Sequence, residues 1–197
     1  MNAANHLGKE LRHELTLKQC QSIMRDLGVA FDETQDEHFN YYFETPQKDL
    51  KKRHITLRLR TAIKARETTH TLTLKIPSIE THSFLEYHQN VSEKEKKALV
   101  DHHRLPEGEI KDLTAIHGGV VEKVRVIHTL RAYAHVQDMA LFFDLITHRG
   151  GTFYEIGLKV DSLPGVITQT VIDHFFAYLN RYQMTYTPAP RWSERVE

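Results

Sequence analysis

Two periodicities divide this chain. Ile167, Val171, Ile172, Phe175, Phe176 and Leu179 recur at helical spacing after Pro164-Gly165, which predicts a helix with one apolar face. Three more helices are marked by their ends. Thr16-Leu-Lys-Gln19 is a capping box that opens a helix running to about Leu27 and stopping at Gly28; Ser92-Glu-Lys-Glu95 opens a charged helix through about Val100. A weaker helix spans 107–116 and ends at Gly118-Gly119. Between these, apolar and polar residues alternate with period two. The predicted strands are 7–15, 37–45, 54–61, 69–77, 82–91, 121–134, 139–147 and 152–161. Eight strands suffice to close a barrel. Residues 185–197, with two prolines, are expected to form an extended tail.

Side chains at i and i+2 share one face of a strand, so each segment sorts into two columns. Ile55, Leu57 and Leu59 oppose Thr56, Arg58 and Arg60; Leu72, Leu74 and Ile76 oppose Thr71, Thr73 and Lys75. Glu86, His88 and Asn90 share a face. Val126, His128 and Leu130 oppose Arg125, Ile127, Thr129 and Arg131, and Tyr154, Ile156 and Leu158 oppose Glu155, Gly157 and Lys159. One explanation is an amphipathic sheet whose polar face meets solvent. The other puts the apolar columns under helices and the charged columns inside a barrel. Arginines at i and i+2 lie about 7 Å apart, and like charges at that spacing repel unless an anion bridges them. A lumen of Arg and Lys with a few carboxylates suits a highly charged phosphate compound. Guanidinium forks bind phosphate oxygens, and carboxylates hold a divalent metal against them.

Composition narrows the alternatives. The chain has 197 residues, one domain by length, and 26 Lys+Arg balance 26 Asp+Glu. A pI near 7.3 argues against a nucleic-acid partner. The lone Cys20 excludes an internal disulfide, and its helical spacing with Leu17, Ile23 and Met24 predicts a buried thiol. No apolar run approaches the roughly 18 residues that span a bilayer, and the first residues lack the pattern of a signal peptide. The expectation is a cytoplasmic protein without a membrane partner. The 14 histidines show no zinc-site spacing, and no Walker loop or Gly-x-Ser-x-Gly elbow is present. Tyr41, Tyr42 and Phe43 read as core and wall packing, and His102-His103 as a solvated turn. His88 is either a polar wall residue or a lumen group titrating near neutral pH. Arg191 and Arg195 either cap a barrel mouth or lie exposed.

Several segments together resemble a known family. They are Asn40-Tyr-Tyr-Phe-Glu-Thr-Pro46 followed by Leu50, Leu57-Arg-Leu-Arg60, Leu72-Thr-Leu-Lys75, Leu85-Glu-Tyr-His-Gln89, Thr129-Leu-Arg131, Phe143-Asp144 and Tyr154-Glu-Ile156. Their order is similar to that of the CYTH superfamily, the triphosphate tunnel metalloenzymes, in its small single-domain bacterial branch, over nearly the whole chain. The resemblance implies an all-β-dominated α+β fold: a closed eight-stranded antiparallel barrel with helices outside, as a single domain over 1–197, of which 1–184 form barrel and helices. It implies a small-molecule triphosphate, polyphosphate or nucleoside triphosphate as ligand, hydrolysed with Mg²⁺ or Mn²⁺ or, less favoured, cyclised. Arg58, Arg60, Lys75 and Arg131 would bind phosphate, with Arg12 and Arg125 joining them on the lumen face. Glu10, Glu86 and Glu155 would be the catalytic acids, Glu10, Asp144 and Glu155 the metal ligands, and His88 and Lys159 lumen residues.

The chain departs from the family at two places. The Glu-x-Glu-x-Lys signature reads Gly8-Lys-Glu10-Leu-Arg12, and the Glu-x-Glu of the last strand reads Glu155-Ile-Gly157. A shifted alignment on Glu10 and Glu14 needs a gap and fits worse. Both glycines remove carboxylates, so the expectation is a metal site that is weakened or lost. The alternative function is therefore a non-catalytic or weakened phosphate binder.

Overall fold

The alternating segments become one antiparallel sheet because each carries an apolar column that a helix can cover. The computed structural model describes residues 6–7, 10–31, 36–65, 67–77, 84–116, 119–159 and 165–189. In chain order the elements are β1 (His6–Leu7), β2 (Glu10–Leu15), α1 (Leu17–Leu27), β3 (Asp36–Glu44), α2 (Asp49–Lys52), β4 (Thr56–Lys64), β5 (Glu67–Pro77), β6 (Phe84–Asn90), α3 (Glu93–His102), α4 (Glu109–Ala115), β7 (Glu122–Val136), β8 (Met139–His148), β9 (Gly151–Lys159) and α5 (Gly165–Arg181). Both predicted capping boxes form, Thr16 with Gln19 and Ser92 with Glu95. Gly28 closes α1 in the left-handed conformation at φ 65°, where a Cβ would be costly.

Two apolar cores flank the sheet. Leu57 and Leu59 of β4 and Leu72 and Leu74 of β5 pack against Leu50 of α2, Leu99 of α3 and Ile110 of α4. Leu15, Leu141, Phe143, Ile156 and Leu158 pack against Cys20, Ile23 and Met24 of α1 and Val171, Phe175 and Leu179 of α5. Each such buried side chain contributes about 1.5–3 kcal/mol. Burial pushes the Cys20 thiol up to about 11, so it stays protonated as an apolar filler. No described helix is long and apolar enough to cross a membrane.

The sheet runs β1-β6-β5-β4-β3-β7-β8-β9-β2. The expected antiparallel strands are present; among the described residues β1 and β2 stand at the two ends of the ladder, and no hydrogen bond between strands closes it into a barrel. Within the predicted strand 7–15, β1 pairs with β6 and β2 with β9. The outer edge of β2 is met by the tail, through a bridge from His13 to Pro188 and the Ala189 N–H donating to the Arg12 carbonyl at 2.9 Å. Arg191 and Arg195 lie outside the described residues.

The single turn α2 was not predicted; it is too short to show a period. Glu44 organises it, accepting from the N–H groups of Thr45, Leu50 and Lys51 at 2.7, 3.0 and 2.8 Å. A carboxylate there satisfies helix N-terminal donors that otherwise lack partners.

Candidate functional site

Register turns the inner columns into rows. One row runs His88–Thr73–Arg58–Tyr42–Arg125 across β6, β5, β4, β3 and β7. Another runs Asp36–Arg131–Asp144–Glu155–Glu14 across β3, β7, β8, β9 and β2, and next to it lies Tyr133–Phe142–Gly157–Arg12. The rows differ sharply in how their charges are satisfied.

In the first row Arg58 Nε and Arg125 Nη1 are buried without a hydrogen-bond partner among the described residues. Arg58 and Arg125 flank Tyr42, so their Cα atoms stand about 10 Å apart, two strand spacings. Burial lowers the Arg125 guanidinium from its ordinary value. A buried donor left unmade costs about 1–3 kcal/mol and more when charged, and native structures keep such groups rarely. Around these two, the other cations are engaged. Arg60 Nε donates to Asn40 Oδ1 at 2.9 Å, and Lys75 Nζ to Glu86 Oε1 at 2.9 Å. His88 Nε2 lies 3.3 Å from Glu86 Oε2 with its side chain 38% exposed, and Nδ1 pairs with the Thr73 hydroxyl.

The second pair of rows is closed. Arg131 grips Asp144 with two bonds, Nε to Oδ1 at 2.6 Å and Nη2 to Oδ2 at 2.7 Å. Arg12 Nη1 donates to Asp144 Oδ2 at 3.2 Å and to Glu155 Oε2 at 2.9 Å. Asp144 is 1% and Glu155 0% exposed. Burial would raise the Asp144 carboxyl, but Arg131, Arg12 and Arg60 overcome it and hold it below its ordinary value. Phe142 fills the floor: Arg131 lies over its ring at 4.0 Å and Arg12 at 5.1 Å. A Cβ built on Gly157 would fall inside that ring.

Between the two regions sits His38, buried, with Nδ1 unpartnered among the described residues. Burial, and then Arg60 and Arg131, lower it to about 3, so it is neutral at pH 7.

Of the residues singled out from the sequence, Arg12, Arg131, Asp144 and Glu155 meet in one cluster, and Lys75, Glu86 and His88 in another. Arg58, Arg60 and Arg125 lie on the same inner face. Lys159 is exposed and pairs in register with Glu10; the Glu10 side chain and Gly8 lie outside the described residues. The sequence reading gave no site role to Asp36, His38, Asn40, Tyr42 (taken as wall packing) and Phe142. The first four alternate along β3 and would have emerged had that strand been sorted like the others. Phe142 precedes Asp144 by two positions on β8.

The family implies a divalent ion, and its fit is testable from these contacts. Both Asp144 oxygens and Glu155 Oε2 accept from guanidiniums, and Gly157 has no carboxylate to give. Among the described residues no three His, Cys, Asp or Glu side chains are grouped to hold a metal. Mg²⁺ prefers octahedral oxygen coordination with carboxylates and substrate phosphates, which the described carboxylates, engaged by guanidiniums, do not offer.

Over residues 10–163 the sequence matches the CYTH domain family. No match was found among curated proteins. Solved structures similar to it include a candidate adenylate cyclase from Bacillus halodurans, with 21% identity, TM-score 0.80 and 97% of each chain covered. Another is the candidate adenylyl cyclase HpAC1 from Hippeastrum, described as having a dominant triphosphatase activity, with 19% identity and TM-score 0.71, covering 95% of this chain and 93% of that one. The PH1819 protein from Pyrococcus horikoshii OT3 has 18% identity and TM-score 0.61, covering 95% of this chain and 96% of that one. At these identities the likeness is one of fold.

Proposed function

The chain belongs to the CYTH domain family, and from that premise we propose that it binds a small triphosphate, inorganic tripolyphosphate or the triphosphate group of a nucleotide, against the cationic columns of its inner face. The observation that carries this reading is the pair of unpartnered buried nitrogens on Arg58 and Arg125. A phosphate chain lying across Tyr42 would meet both. Arg60 and Lys75, now engaged by Asn40 and Glu86, stand on adjacent rows and would take further phosphate oxygens. Guanidinium–phosphate bonds are charge-assisted and work best where water is scarce. The roles of Glu86 and His88 in this reading are to hold Lys75 and to line the wall.

Calorimetric titration of tripolyphosphate at physiological ionic strength tests it. One site per chain is expected, weakened at least about tenfold by Arg58→Ala, the equivalent of one charge-assisted hydrogen bond. No heat at millimolar ligand would sink the reading.

Hydrolysis is the second reading, favoured by the triphosphatase activity described for the Hippeastrum relative. It is separated by phosphate release from tripolyphosphate and ATP with Mg²⁺ or Mn²⁺, and cyclisation by cyclic AMP in the same mixtures. Of the carboxylates that would position a metal for either reaction, Asp144 and Glu155 are engaged by Arg12 and Arg131, which is why binding ranks ahead of turnover.

A further inference from the structure

Arg12 occupies the point where the buried acids converge. Asp144 and Glu155 are register partners on β8 and β9, so two carboxylates face one another across a single strand spacing. Like charges that close repel, and a cation against both offsets the repulsion. Arg12 reaches both, from a position in the next row, while Arg131 covers Asp144 from the other side. Two guanidiniums therefore face these two carboxylates. A divalent ion placed across both carboxylates would have to displace Arg12, and Arg131 from the Asp144 oxygen it took.

A separate contact explains why Arg12 stays. The register partner of Arg12 on β9 is Gly157, and that of Gly157 on β8 is Phe142. With no side chain at Gly157, the Phe142 ring lies over its Cα and fills the volume a carboxylate would need. The same ring faces the guanidiniums of Arg12 and Arg131. The missing carboxylate, the filled volume and the captured cation are thus one arrangement. Arg also keeps its charge and its planar fork in surroundings where Lys would lose a proton more readily.

We infer that Arg12, held by Phe142 over Gly157, is a resident replacement for a divalent ion, and that the chain takes up its triphosphate in the metal-free form. The second half rests on the function proposed above; the first half does not. Magnesium or manganese then competes with the protein for the ligand, because a chelated triphosphate offers fewer free oxygens and less charge to Arg58 and Arg125.

The test has two arms. Electron paramagnetic resonance of free Mn²⁺ is recorded with the protein alone. The wild-type chain is expected to leave the signal undiminished at stoichiometric protein, and Arg12→Ala, which releases Glu155 Oε2 and one of the two bonds to Asp144 Oδ2, to deplete it. Tripolyphosphate is then titrated calorimetrically in EDTA and in excess Mn²⁺, with apparent affinity expected to fall by roughly tenfold or more when the metal sequesters the ligand. Stoichiometric Mn²⁺ uptake by the wild-type chain, or binding of tripolyphosphate only with Mn²⁺, would overturn the inference. Heat in neither titration, with no Mn²⁺ uptake, would remove the triphosphate reading and leave the replacement standing. If Arg12→Ala does not fold, Phe142→Ala/Gly157→Glu supplies the added carboxylate with room to sit, and it should gain Mn²⁺ uptake; a folded variant that gains none counts against the inference.

Discussion

Arg125 and Arg131 project from the same face of β7, six positions apart, into opposite surroundings. Arg131 lies opposite Asp144, and both its Nε and Nη2 are bonded to that carboxylate. Arg125 lies opposite Tyr42, keeps Nη1 buried without a partner among the described residues, and is lowered by burial. The same residue type is committed structure in one row and available chemistry in the other. Cross-strand register decides which, since the strand's own alternation treats the two alike.

Replacing each member of the pair should separate these roles. Arg131→Ala removes the main partner of a buried carboxylate, and its expected cost is about 3–5 kcal/mol in urea unfolding. Arg125→Ala removes a buried unmade donor and should leave stability within about 1 kcal/mol. Equal costs would erase the distinction between the rows. On the ligand side, Arg58→Ala/Arg125→Ala should weaken tripolyphosphate about 100-fold or more, with two charge-assisted bonds lost at about 1.5–3 kcal/mol each, while its unfolding midpoint stays near that of the wild type. Retained affinity would place the anion elsewhere.

The closed half can be probed by its packing. Gly157→Ala pushes a methyl into the Phe142 ring, an overpacking expected to cost about 1–3 kcal/mol. In a Phe142→Leu background the same change should cost measurably less; an undiminished cost in this double-mutant cycle would mean that the ring is not what fills the space. The smallest effect belongs to His38. Because burial, Arg60 and Arg131 lower it to about 3, the unfolded chain takes up the proton first. The stability this supplies is complete above the ordinary value near 6.5, declines as pH falls below that, and is exhausted once pH passes about 3. Between pH 7 and 5.5 the loss is about 1.3 kcal/mol, and it should be absent from the same pair of urea titrations on His38→Gln.

How much of this was legible beforehand follows from where the information lies. Period-two sorting put Arg58 and Arg60 on one face and Leu57 and Leu59 on the other, and burial in the structure follows that division. The capping boxes at Thr16 and Ser92 are local patterns, and both helices start there. That β1 pairs with β6 and β2 with β9 is a matter of which edges they find, and no local pattern carries it. Gly157 shows the same limit. From sequence it reads as a lost carboxylate; that the volume is filled by Phe142, and that Arg12 thereby becomes the counter-ion of Asp144 and Glu155, depends on the register of three strands.

Calorimetric titration of tripolyphosphate in EDTA, run side by side on the wild-type chain and on Arg58→Ala/Arg125→Ala, addresses the central claim most directly. The expected result is one saturable site in the wild type without any metal, lost in the variant. Wild-type heat that appears only after Mn²⁺ is added, or equal heats from the two proteins, would contradict it.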